Sequence, residues 1–361
     1  MSCASPVERE VPAAAVTFAR RMADLVPGIL LSAVIGGAAV ALQSVEVAWL
    51  GHAIFESLVL AILIGMIVRT AWTPPATVET GIQFTAKEVL EVAIVLLGDS
   101  VDIPELLRAG PLLLLGVALT VAAGIVLGTA IGRMLGLETR HALLVACGNS
   151  ICGNSAIAAI APVIGARKEH VASAIAFTAV LGVVVILTLP LLIHPLHLSY
   201  YQYGVLAGMT VYAVPQVLAA AFPVSPLSGE VGTLTKLVRV LLLGPVVVTL
   251  ALIARRRTRA GGTGAGPLPR GYRITDFVPW FIIGFMALGT IRSAGLLGDS
   301  VAAILRESAT ILTVAAMAAL GLGVDLRTMR RVGPRVVGAV CGSLAVLVVM
   351  SAFVVRTWVR A

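Results

Sequence analysis

Two Gly-Asn-Ser units stand close together in the run from Cys147 to Pro162: Gly148-Asn149-Ser150 and Gly153-Asn154-Ser155, separated only by Ile151 and Cys152. Glycine lets backbones approach closely and adopt unusual dihedral angles, and the short Asn and Ser side chains supply donors and acceptors that replace water around a bound solute. A helix restarted near Gly148 or Gly153 exposes uncapped N–H groups, which favour an anion. All six residues are therefore read as substrate-binding, for an oxyanion. The rival reading is close helix packing through the small residues, with Asn and Ser bonding between helices.

A second segment, 208–221, carries Gly208, Thr210, Tyr212, Pro215 and Gln216. Pro215 interrupts a regular hydrogen-bond ladder. Tyr212 and Gln216 are four apart, and the spacing predicts that they face one cavity. Interfacial anchoring of Tyr212 and an interhelical bond from Gln216 are the alternatives.

The ionisable residues within or beside apolar runs are Lys87, Glu88, Glu91, Asp99, Asp102, Lys236 and Arg239. A charge in hydrocarbon is costly unless it is paired, snorkelling or lining a wet cavity. Lys87 and Glu91 have the spacing of a helical ion pair. Glu88 is read as solvated at a segment start, and solvation is expected for at least one of Asp99 and Asp102. Lys236 and Arg239, three apart, either attract an anion together or anchor at the interface. Glu91 and Asp99 are the first carboxylates to test for proton coupling, with sodium the other coupling ion. His141 and His170 are expected in connections.

Four cysteines, Cys3, Cys147, Cys152 and Cys341, form no disulfide framework. Cys147 and Cys152 lack neighbouring His or acidic residues, so small-residue packing is favoured over metal binding. Ser150 and Ser155 have no sequence-adjacent base. No catalytic residue, metal ligand or cofactor is assigned.

The elements that must hold these residues are membrane helices. Of 361 residues, 59% are hydrophobic and 12% charged, and the mean hydropathy is +1.02; an ordinary soluble protein has roughly 25% charged residues. Apolar runs near the length that crosses a hydrocarbon core recur at 25–43, 50–69, 87–101, 111–132, 142–163, 171–193, 202–222, 234–254, 277–297, 303–323 and 335–355. The fold expected is an all-α polytopic membrane protein, a transporter fold with inverted repeats and two broken or re-entrant segments. The net charge of +8 comes with no zinc-finger spacing or basic stripe that would suit nucleic acid; most basic residues punctuate apolar runs and read as topology signals.

Those signals divide the chain into a cytoplasmic segment 1–21, a membrane region 22–254, a cytoplasmic linker 255–276 with its Arg255–Arg259 cluster, and a membrane region 277–361 packed with the first. If all eleven segments cross, Arg167 and Lys168 fall outside, against the rule. If 142–163 and 202–222 instead re-enter from opposite faces, nine segments cross and those residues become cytoplasmic.

Residues 93–111 resemble 316–334 at constant offset, with Gly98 on Gly321, Asp102 on Asp325, Arg108 on Arg331 and Gly110-Pro111 on Gly333-Pro334. A weaker echo links 155–163 with 216–224, nested inside the first pair. Inverted repeats around broken helices are a recurrent transporter plan.

Gly98 after VLL, the segment GNSICGNSAIAAIAPVI at 148–164, Glu169 and Val171, VPQV at 214–217, KLVRVLLLGPVV at 236–247 and AALGLG at 318–323 together resemble the YeiH-like UPF0324 family, whose members carry a sulfate-exporter label. The resemblance covers most of the chain from about residue 50. It implies a multi-pass protein of the bacterial inner membrane and of secondary-transporter type. Many members have a His followed by an acidic residue where this chain has Tyr212 and Ala213, a departure that bears on coupling and on substrate.

The expected function is secondary transport of a small anion such as sulfate, sulfite or an organosulfonate, with membrane lipids as the other partners. An anion channel or a membrane enzyme acting on a lipid are the competing functions. A homo-oligomer is left open, because lipid-facing and subunit-facing apolar surfaces have similar composition. No nucleotide-binding loop is visible.

Overall fold

In the computed structural model, which describes residues 13–50, 56–100, 110–259, 280–327 and 333–359, all regular structure is helical. The chain opens with α1 (Ala13–Leu50) and α2 (Ser57–Ala71). Next come α3 (Ala76–Phe84) and α4 (Leu90–Leu97), joined through a π turn at Thr85–Val89, and then α5 (Gly110–Met134). The middle holds α6 (Thr139–Ser150), α7 (Asn154–Ile164), α8 (Lys168–Thr188), the short α9 (Ile193–Leu196), α10 (Tyr200–Thr210) and α11 (Val214–Ala221). The rest comprises α12 (Pro226–Leu241), α13 (Leu243–Arg259), α14 (Trp280–Ser293), α15 (Asp299–Leu322) and α16 (Pro334–Trp358).

Among the described residues, five stretches, Asp24–Trp49, Leu112–Met134, Pro226–Ala254, Asp299–Leu322 and Pro334–Trp358, are long and apolar enough to cross a membrane. Large exposed side chains such as Val34, Ile283, Ile311, Val349 and Phe353 are apolar, as a lipid-facing surface requires. The first helix begins at Ala13, inside the segment expected to precede the membrane, and α3 begins the third apolar segment at Ala76, well before residue 87. Asp102, residues 1–12 and most of the expected linker, 260–276, lie outside the described residues.

Both interrupted segments turn back on themselves. Helix α6 has 12 residues and α7 has 11, about 18 and 16 Å at 1.5 Å per residue. Set end to end, they would hold their outer ends far beyond the reach of one arginine. Yet the Arg140 guanidinium at the start of α6 donates to the Gly165 carbonyl just past α7, at 2.9 Å. The pair is a hairpin. In the same way the Tyr203 hydroxyl, early in α10, donates to the Ala220 carbonyl at the end of α11, at 2.8 Å. Between the hairpins runs α8, whose 21 residues give about 31 Å, the thickness of a hydrocarbon core. The two hairpins therefore open at opposite ends of the bundle, as the re-entrant reading required, and Arg140, Arg167 and Lys168 share one end.

The long repeat is also present in three dimensions. A methyl group at Gly98 would stand 2.4 Å from the Phe285 carbonyl oxygen, and one at Gly321 would stand 2.2 Å from that of Ile62. Only glycine permits either approach. Gly98 and Gly321 differ by 223 (321 minus 98), as do Ile62 and Phe285 (285 minus 62). The first half thus packs on the second in the register in which the second packs on the first. Arg69 in the last turn of α2 and Arg292 in the last turn of α14 keep the same offset. Helices α5 and α16, which follow the repeated segments, pack antiparallel: the Gly116 position meets Val354, Gly124 meets Leu347, and Gly128 meets Ser343. Antiparallel equivalents are the mark of an inverted repeat.

Candidate functional site

The two hairpin tips meet at α12. Lys236 is the eleventh residue of that helix, about 15 Å from its start, and so near the middle of a core of about 30 Å. Its Nζ donates to the Ile151 carbonyl at 2.5 Å and to the Val211 carbonyl at 2.9 Å, one acceptor from each tip. One turn on, Arg239 donates through Nε to Ser150 at 3.1 Å and through Nη2 to Asn149 at 2.8 Å. Its Nη1 donates to Gly208 at 3.0 Å and to Val211 at 3.2 Å. These acceptors are the carbonyls at and just beyond the C-terminal ends of α6 and α10, which a helix leaves unpaired and which carry its negative pole. Two basic side chains are thus held as caps for two broken helices. Both are fully buried, which sets aside interfacial anchoring, and neither pairs with a carboxylate among the described residues.

On the far side of each tip a helix begins. Gly153, with φ +67°, turns the chain into α7, a conformation that excludes most side chains. Val211 and Ala213 are extended before α11, with Pro215 in the first turn, where a missing N–H costs nothing. The Gln216 side-chain oxygen turns back to accept from the Ala213 N–H at 3.2 Å. Both new helices start at one cavity of about 620 Å³. Its wall includes Gly153, Asn154 and Ser155 from the first tip, and Tyr212 and Gln216 from the second. Lys87 and Glu91 close it from the opposite side, with Phe281 and Leu320. A cavity with two helix N-terminal poles and no carboxylate at the tips is chemically suited to an anion.

The sequence-selected residues divide. Gly153, Asn154, Ser155, Tyr212 and Gln216 come together at the cavity wall. Gly148, Asn149 and Ser150 do not reach the cavity wall: they end α6 in the interior, where Asn149 donates to the Val340 carbonyl at 3.0 Å and the Asn149 and Ser150 carbonyls serve Arg239. The two triplets look alike in sequence but lie on opposite poles of the break, the first at a helix C-terminus and the second at an N-terminus. The Tyr212 hydroxyl and the Asn149 side-chain oxygen are buried with no hydrogen-bond partner among the described residues.

Lys87 and Glu91 do not pair. The π turn at Thr85–Val89 takes Lys87 out of the i,i+4 register. It sits 3.3 Å from Glu88, which is therefore paired rather than simply solvated. Glu91 accepts from the Trp280 indole at 2.6 Å. Asp99 is not solvated either: its carboxylate is buried between Arg306 at 2.9 Å and Arg292 at 3.7 Å, away from the cavity wall. His141 and His170 stack with ring centroids 4.5 Å apart at the open end of the first hairpin, and His141 meets Ser173 at 3.0 Å. Phe281, Leu320 and Val240 were not singled out from sequence, because an apolar wall of a cavity has the composition of any membrane helix.

A family profile described as conserved hypothetical protein 698 matches residues 27–340. The chain belongs to this family. Relatives of the UPF0324 group confirm the breadth of the match. The UPF0324 membrane protein of Bradyrhizobium diazoefficiens is 48% identical over 348 residues, covering 96% of each chain. That of Brucella melitensis is 51% identical over 316 residues, 88% of this chain and 86% of the relative. A UPF0324 membrane protein of Bacillus cereus is 34% identical over 296 residues, 81% and 85% of the two chains. No solved structure matches the chain. The UPF0324 resemblance read from the GNS segment is thus borne out, and with it a multi-pass membrane protein. In this member of the UPF0324 family the motif that carries the resemblance is the first hairpin tip.

Proposed function

We propose that this UPF0324 protein is a secondary transporter of a small anion, with the cavity between the hairpin tips as its binding site, and that it carries out no chemical conversion. One observation carries the reading: helices α7 and α11 both begin at the cavity, while the carbonyl ends of α6 and α10 are held by Lys236 and Arg239. Each helix N-terminus presents roughly half a positive charge, and the basic side chains behind the tips add to the same potential. Asn154, Ser155 and Gln216 supply neutral polar groups at the wall, and the surrounding apolar side chains keep the dielectric low, which strengthens every charge–dipole contact.

The inverted repeat supports alternating access, because a site at the junction of two oppositely oriented units is reached from either side by rocking one unit on the other. Sulfate, sulfite and organosulfonates are the substrates to test first, following the family resemblance, in the bacterial inner membrane. The test is uptake of labelled sulfate into proteoliposomes, with and without an opposing gradient of sulfate, sulfite or taurine. Protein-dependent exchange stimulated by the opposing anion is expected. Folded protein that exchanges none of the three would refute the anion assignment.

A further inference from the structure

The Lys236 amine has two acceptors, the Ile151 and Val211 carbonyls. A neutral amine has two N–H groups and satisfies both; an ammonium has three, and the described residues provide no acceptor for the third. The surroundings act in the same direction. Arg239 stands one turn away with its guanidinium committed to four carbonyls. The two helix C-terminal poles supply about one negative charge between them, and the two N-terminal poles at the cavity return about one positive charge. With both side chains protonated and the cavity empty, roughly two positive charges are left at the tips, against the single carboxylate of Glu91 on the far wall. Burial of charge that its surroundings do not fully balance is costly. An anion in the cavity removes that cost.

We propose that Lys236 carries the coupling proton: it is neutral when the cavity is empty and takes up one proton from water when the anion binds, so that anion and proton cross together. This rests on the anion site proposed above. The proton adds to the amine lone pair as the anion arrives and leaves with it, so no net bond is made or broken in a full cycle. Arg239 is the permanently charged partner, because a guanidinium does not release its proton in this range.

The other titratable groups around Lys236 do not compete for this role. The Cys152 thiol and the Tyr212 phenol come from the two tips. Helix α10 brings Tyr203, whose hydroxyl is engaged with Ala220. Helix α11 has no titratable residue, and α5 has only Arg133, in its last turn. The arginines of α13 stand at its far end, and Glu230 is six residues earlier on α12 itself. Across the cavity, Glu91 is bonded to Trp280 and Lys87 is paired with Glu88.

The test is proton uptake on anion binding by purified wild-type protein in weakly buffered detergent solution, with sulfate, sulfite and taurine added in turn and binding followed by calorimetry. Wild type is expected to take up about one proton per bound anion, with affinity that weakens as pH rises. Lys236→Gln is expected to bind roughly tenfold or more weakly, as when a unit charge leaves a partly buried site, with no proton uptake and a flat pH profile. Lys236→Arg restores affinity but not proton uptake. Binding by wild type without proton uptake, which needs no variant, overturns the coupling while leaving the anion site standing, and proton uptake retained by either variant overturns the assignment to Lys236. Wild-type protein that is folded and binds none of the three anions overturns the site and the coupling together.

Discussion

Arg140 donates to the carbonyl oxygen of Gly165 at 2.9 Å, across the mouth of a hairpin whose two limbs lie between them. That contact fixes both ends of the first broken segment on one face. Cysteines substituted singly at Lys168 and Tyr200, both exposed, in a background lacking the native cysteines, are expected to react with a membrane-impermeant maleimide from opposite sides. Labelling of both from one side would contradict the hairpin topology.

Arg239 holds more of the site together than any other side chain. Replacing it with Leu strips the Asn149, Ser150 and Gly208 carbonyls of a charge-assisted donor while leaving them buried, a loss of about 3–5 kcal/mol when one side of a buried charged contact is removed. Thermal unfolding in detergent should show a large fall, with partial recovery in Arg239→Lys, which keeps the charge but loses the fork of donors. An unchanged melting temperature for Arg239→Leu would mean the caps are dispensable.

The two Gly-Asn-Ser units should behave differently on mutation. Asn154→Ala is expected to lower anion flux several-fold with little change in stability, since Asn154 stands at the cavity wall. Asn149→Ala removes the bond to Val340 and should cost about 1–2 kcal/mol of stability, the usual worth of a buried hydrogen bond. Flux assays and thermal unfolding on the same preparations separate the two, and matching phenotypes would refute the division.

Asp99→Asn tests whether a buried carboxylate here couples or only binds. Arg306 is half exposed and its pair is correspondingly screened, so the expected loss is about 1–3 kcal/mol. The pH dependence of anion binding should be unchanged. A flattened pH profile in this variant would return Asp99 to the list of coupling residues.

Much of this was legible in the chain. Eleven apolar runs, the charge violation at Arg167 and Lys168, and Pro215 sufficed to locate both hairpins, because hydrocarbon thickness and the cost of a charge outside are physical limits on a linear string. The polarity of each break was not legible. Asn149 and Asn154 have the same neighbours, and only the direction of the chain at the turn decides which faces a carbonyl pole and which faces an N–H pole. Lys236 and Arg239 were legible as unusual, but their acceptors are main-chain atoms that have no signature in sequence. The Lys87–Glu91 expectation failed for a local reason, since a π turn cannot be inferred from side-chain spacing.

The 223-residue offset that carries Gly98 to Gly321 carries Asp99 to Leu322, a fully buried apolar residue. Two halves of the same shape, inverted with respect to each other, would leave a pair of mirror arrangements equal in energy. The ion pairs from Asp99 to Arg292 and Arg306 join the two halves and have no counterpart at the equivalent positions, where the offset puts Leu322 opposite Arg69 and Gln83, and so they remove that degeneracy. Duplication supplies the seesaw, and a single acidic residue without a twin weights one end of it.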